Sequence, residues 1–114
     1  MSSRTDREFL ADILEAIRRG RMYVDGMDYD QFMADLKTQD AVVRALEVIG
    51  EAAKRLSPAV REQHASIPWK NMAGLRDKLI HDYFGVNLDI VWQIVTQELP
   101  PVALQLEQML AEGG

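Results

Sequence analysis

The sequence predicts an all-α protein, an up-and-down bundle of four to five helices. Three observations carry this. Apolar residues recur at helical spacing along almost the whole chain, no segment alternates like a strand, and turn signals cut the pattern at Asp25-Gly26, Ser57-Pro58 and Pro100-Pro101. The 114 residues, 47% of them hydrophobic, suit a single domain spanning 1–114. A helical chain this small gains by burying a further face in a dimer.

The first helix is expected from about Thr5 to Val24, with Phe9, Leu10, Ile13, Leu14, Ile17 and Met22 on its apolar stripe. Thr5 or Asp6 can cap its start, and Gly20 weakens its last part. Asp25 to Asp28 reads as a turn, followed by a short helix from about Tyr29 to Leu36. The second long helix is expected from near Thr38 to near Leu56. Its apolar face holds Ala41, Val42, Ala45, Leu46, Val48, Ile49, Ala52 and Leu56, and Pro58 opens a further short helical turn. One flank carries Arg44, Glu47, Glu51 and Arg55 at i,i+3 and i,i+4 spacing. This is either a surface ladder of weak ion pairs or a device in which Glu47 or Glu51 positions an arginine elsewhere.

A third helix is expected from Pro68 or Trp69 to Phe84, with Gly85 just past its end. A fourth begins near Asn87 or Leu88, carries Val91, Trp92, Val95 and Leu99, and meets Pro100-Pro101, where it should kink or split. The apolar pattern resumes through Leu110.

Composition narrows the function. There is no cysteine, which excludes disulfides, thiolate nucleophiles and cysteine-ligated metals. The polar start lacks an apolar signal region, and no apolar run approaches the roughly 18–20 residues of a membrane span. A soluble, cytoplasmic protein is expected, without membrane contact. The net charge of −5 argues against broad coating of nucleic acid but leaves room for one local phosphate pocket. Two histidines without a pattern of carboxylates give no metal site, and no P-loop, dinucleotide fingerprint or nucleophile elbow is present. No cofactor is expected.

The informative stretch is Gly74-Leu75-Arg76-Asp77-Lys78-Leu79-Ile80-His81-Asp82-Tyr83-Phe84. At about 100° per residue, Arg76 falls in the middle of the apolar arc, and Lys78 and Asp82 fall on the polar side. An arginine so placed needs a carboxylate, a subunit boundary or an anionic ligand. His81 lies about 140° from Arg76, so only a cleft between helices or a two-fold interface brings the two together. Tyr83 lies nearly on the arginine's stripe. Taken singly, each residue also has a structural reading: Arg76 as a buried ion-pair member, His81 as a histidine near a helix end, Tyr83 as a core aromatic. His64 reads as a surface residue.

Taken together, these residues resemble a known family. Arg76-x4-His81, with polar Asp77 directly after the arginine, is similar to the Arg-x4–6-His signature of HEPN domains. The extension to Tyr83 gives the Arg-x4-His-x-Tyr form of the HepT-like toxins of minimal nucleotidyltransferase–HEPN modules. Thr38-Gln39-Asp40-Ala41, Glu47 to Lys54, Ile67-Pro68-Trp69, Val91-Trp92 and Leu99-Pro100 resemble that family in the same order. Asp77 and Asp82 stand where many members carry Asn and Gly. The resemblance implies a HEPN-like helical bundle forming a homodimer, or a higher oligomer, with the motifs of two protomers lining one cleft. It implies a metal-independent endoribonuclease toxin with Arg76 and His81 catalytic and Asp77 in support. It implies RNA as substrate, and a cognate nucleotidyltransferase antitoxin that transfers AMP to Tyr83. The alternatives are a non-catalytic helical module that binds a nucleotidyltransferase partner, and a nucleotide-binding accessory subunit.

Overall fold

The first helix starts where its sequence allows the free N–H groups to be capped. In the computed structural model, which describes residues 4–80 and 87–112 but not the side chains of Arg76 and Ile80, α1 spans Asp6–Val24. Thr5 accepts from the Glu8 N–H, and the Glu8 carboxylate accepts from the Thr5 N–H, a reciprocal capping box. Gly20 does not end this helix. It is buried, and a Cβ there would meet Val95 at 3.4 Å and Ala45 at 3.6 Å, so it sits where the neighbouring helices approach α1 closely. The chain then turns at Gly26, whose φ of +78° lies in the left-handed region.

Two short helices interrupt the long ones. Helix α2 spans Tyr29–Met33, capped by Asp28. Helix α3 spans Leu36–Lys54 and begins two residues earlier than the sequence suggests. The reason is Asp35, whose carboxylate accepts from the Thr38 N–H and fixes the start. Buried Gln39 donates to the Phe32 and Met33 carbonyls, closing the end of α2. Helix α4, Pro58–Gln63, follows Ser57. The Ser57 N–H and hydroxyl both donate to Asp6, tying this corner to the start of α1. Arg61 from α4 donates to the Ala53 and Lys54 carbonyls at the end of α3.

The expected third helix is two segments, α5 at Trp69–Ala73 and α6 at Leu75–Ile80, divided at Gly74. Glycine is among the poorest helix formers, which makes it the natural breakpoint. The Gly74 backbone is still right-handed, and its carbonyl accepts from Lys78. The expected helix end near Phe84 and Gly85 lies outside the described residues.

Helix α7, Leu88–Gln93, begins where the sequence places it and is capped by Asn87. The helical run does not break at the tandem proline; it widens just ahead of it. A π turn at Ile94–Glu98 leads into α8, Leu99–Ala111, with Pro100 and Pro101 in its first turn. Proline is tolerated there because first-turn N–H groups need no partner inside the helix. The widened turn absorbs the mismatch, and the Thr96 hydroxyl donates to the Trp92 carbonyl at 2.6 Å.

Among the described residues every regular element is helical. The long rods are α1, α3, the α5–α6 pair and the α7-to-α8 run. Ile13, Ile17, Val42, Leu46, Ile49, Val91, Val95 and Leu106 lie fully buried between them. Phe32 is also fully buried, so α2 belongs to the core. No helix among the described residues is long and apolar enough to cross a membrane.

Candidate active site

The motif opens on α6, and α6 is held to α3 by apolar contacts and one charge pair. Leu75 and Leu79, a turn apart, are buried. Asp77 and Lys78, between them in sequence, are exposed. Buried Leu75 and Leu79 thus fix the rotation of α6 about its own axis. Lys54 at the C-terminal end of α3 lies 3.3 Å from the Asp77 carboxylate. Ahead of α6, buried Trp69 donates its indole N–H to the His64 carbonyl at 2.9 Å. His64 is half-buried and acts through its backbone.

Position 76 therefore lies in a helix whose neighbours on both sides are fixed. The Arg76 side chain, His81 and Tyr83 lie outside the described residues.

The chain re-enters at Asn87, whose side chain accepts from the Asp89 and Ile90 N–H groups. Helix α7 is then fastened to α2. The Tyr29 hydroxyl donates to the Asp89 carboxylate, which holds the Tyr29 phenol above its ordinary pKa. The Tyr29 ring meets Trp92 edge-on at 6.3 Å, and Phe32 lies 5.2 Å from the same indole. Residues 81–86 thus connect a helix tied to the far end of α3 with a helix tied to α2, which precedes α3. The sequence alone does not reveal the Lys54–Asp77 or Tyr29–Asp89 contacts. Both join residues far apart in the chain, 23 and 60 positions, and no local spacing announces them.

The charged flank of α3 is only partly the ladder expected. Glu51 accepts from Arg55 at 3.2 Å. Asp40, Arg44 and Glu47 make no ion pair among the described residues. Between α1 and α3 an open groove of about 400 Å³ is lined by Phe9, Asp12, Arg44, Glu47, Val48 and Glu51, among others. A second, of about 320 Å³, continues it past Arg44 and Val48 towards Tyr23.

The family model for ribonuclease HepT-like proteins matches residues 13–109, a span that contains the whole motif. The chain belongs to the ribonuclease HepT-like family. It is 44% identical to a Methanocaldococcus jannaschii protein named "Putative RNase MJ0127", over 98% of this chain and 93% of that protein. It is 41% identical to the "Probable ribonuclease HepT" of Thermococcus cleftensis, over 93% of this chain and 96% of that one. It is 29% identical to the "mRNA nuclease HepT" of Shewanella oneidensis, covering 90% and 94% of the two chains. No solved structure matches the chain.

Proposed function

We propose that this HepT-like chain is a cytoplasmic, metal-independent endoribonuclease, the toxin of a type VII-like toxin–antitoxin pair. It acts as a homodimer and is silenced when a cognate nucleotidyltransferase transfers AMP to Tyr83. The observation that carries this reading is the family match across 13–109 around an intact Arg76-x4-His81-x-Tyr83 motif.

The chemistry asks little beyond those residues. RNA supplies its own nucleophile, the 2′-hydroxyl. One His81 takes the 2′-hydroxyl proton as the 2′-oxygen bonds to phosphorus. The bond from phosphorus to the 5′-oxygen breaks, and a second His81, from the other protomer, gives that oxygen a proton. Arg76 can hold the phosphate oxygens with two charge-assisted hydrogen bonds and stabilise the added negative charge of the phosphorane. Asp77, fastened to Lys54, supports the helix from the position next to Arg76.

The test is RNA cleavage by the purified chain in EDTA across a wide substrate set. Cleavage that persists in EDTA and is lost in His81→Ala is expected. Failure of the parent to cut any RNA favours instead the non-catalytic module that binds a nucleotidyltransferase or nucleotide.

A further inference from the structure

We propose that an open groove between α4 and α5, lined by Arg61, Lys70 and Asn71, holds the backbone of an RNA strand where it runs on from the scissile phosphate at the motif. This rests on the ribonuclease reading and adds to it a subsite outside the motif. The first observation is where the charge lies. Residues 54–78 carry six cations, Lys54, Arg55, Arg61, Lys70, Arg76 and Lys78, against two acids, Glu62 and Asp77. That is a net of +4 in a chain of net −5, which leaves −9 on the remaining residues. An RNA strand is therefore repelled by most of the chain and drawn to this one segment.

Within the segment, Lys54 and Arg55 are met by Asp77 and Glu51. Arg61, Lys70 and Lys78 make no ion pair among the described residues. Arg61 is oriented all the same. Its Nη2 group donates to the Ala53 carbonyl at 2.7 Å and to the Lys54 carbonyl at 3.1 Å, which hold the guanidinium without a carboxylate to neutralise it. Its Nη1 group makes no hydrogen bond among the described residues and remains for a phosphate oxygen. Arg61 lines an open groove of about 390 Å³ together with exposed Lys70 and Asn71. A guanidinium fixed in place, a flexible ammonium and an amide donor are groups that contact a phosphodiester without reading its bases.

The groove reaches the motif through Lys54. The carbonyl of that residue holds Arg61, and its ammonium holds Asp77, the neighbour of Arg76. Lys70 precedes Arg76 by six residues, about 9 Å along a helical path. A few successive phosphates cover that span, at roughly 3.4 Å per charge in a stacked strand. An acidic protein in the same place would need apolar anchors as well. The exposed large hydrophobics among the described residues, Met22, Tyr29, Met33, Leu36 and Leu104, all lie outside the groove. The occupant that this surface fits is a nucleic-acid backbone.

The experiment is fluorescence anisotropy of labelled single-stranded RNA on His81→Ala chain, read across a salt series. In that background Lys70→Gln should weaken binding about 8-fold at 50 mM salt, to a similar extent for unrelated RNA sequences. The slope of log K against log salt should fall by about 0.7, the share of one single-strand phosphate contact. Lys70→Arg should restore both. Lys37→Gln makes the same change of charge at the opposite end of α3 and should alter neither. Lys70→Gln with the binding and slope of its parent overturns the proposal. So does an equal loss in Lys37→Gln, or a His81→Ala chain that binds no RNA at low salt. An oligoglutamate of equal charge that competes as well as RNA also overturns it and makes the groove a site for acidic protein. Cleavage by the unmodified chain in EDTA keeps the two readings apart. Cleavage with binding indifferent to Lys70 removes the groove and keeps the ribonuclease. Lys70-dependent binding by a chain that cuts no RNA does the reverse.

Discussion

Lys54 lies 3.3 Å from the Asp77 carboxylate, fastening the C-terminal end of α3 to the residue after Arg76. The pair is open to water, with the Asp77 side chain 75% exposed, whereas Leu75 and Leu79 on the same helix are buried. Apolar burial therefore holds α6 in place, and the charge pair adjusts it.

That division makes a stability prediction. Asp77→Asn should cost less than about 1 kcal/mol, because exposed pairs are solvent-screened. Leu79→Ala should cost about 2–4 kcal/mol through lost burial and an unfilled cavity. Urea denaturation of both variants checks this. An Asp77→Asn loss as large as that of Leu79→Ala would show that the pair, and not the leucines, positions α6.

Acid should weaken the helix starts. The Thr38 N–H holds the Asp35 carboxylate below its ordinary pKa of 3.8, and the Thr5 N–H does the same for Glu8. A carboxylate with a depressed folded pKa stabilises the fold above its unfolded pKa, and that contribution is lost as pH falls through the folded value. Asp35→Asn removes the titration and keeps an oxygen that can cap. The melting-temperature gap between parent and Asp35→Asn should therefore be constant above about pH 5 and narrow on descent below the ordinary Asp value. A gap unchanged down to about pH 2.5, well under the ordinary Asp range, would remove Asp35 from the acid response.

The long helices are legible in the sequence because their information is local. Thr5, Asn87 and Pro58 announce starts, Gly26 marks a turn, and the apolar stripes of α1 and α3 repeat at helical spacing. The start of α3 lies two residues ahead of its expected place because the sequence assigns Asp35 and Leu36 to the preceding short helix, which in fact ends at Met33, and only the bond from the Thr38 N–H makes Asp35 a cap. The break at Gly74 is hidden because the apolar pattern continues across it. Residues that fasten the site from a distance, Lys54 and Tyr29, carry no local signal. The motif itself is readable as a spacing of residue types, and its family as a match over most of the chain.

Alanine at the two proposed catalytic positions should separate chemistry from structure. His81→Ala should leave the urea midpoint near that of the parent and lower cleavage by about 10²-fold or more, the typical share of a general acid–base group. Arg76→Ala should likewise abolish cleavage with the fold retained if the guanidinium serves the phosphate. If Arg76 is instead one member of a buried pair, its removal should cost about 3 kcal/mol or more. Urea titration beside the cleavage assay distinguishes the two.

Tyr83 is proposed as the control point, and its variant gives the most direct test. A phenol can accept a nucleotidyl group, and AMP there would add a phosphodiester charge and an adenine on nearly the same helical stripe as Arg76 in the sequence. The added anion would compete with RNA for the arginine. Tyr83→Phe keeps the ring and removes the acceptor oxygen. This variant should fold, cleave RNA as the parent does, and escape silencing by the cognate nucleotidyltransferase. Intact mass after incubation with that enzyme and ATP should show an adenylyl increment on the parent and none on Tyr83→Phe. An increment that persists in Tyr83→Phe would move the acceptor to Tyr23 or Tyr29. Of these, Tyr29 is engaged, its hydroxyl already donating to Asp89. An increment that vanishes in Tyr29→Phe but persists in Tyr83→Phe would show that the enzyme breaks this contact, and would relocate control from the motif to the junction of α2 and α7.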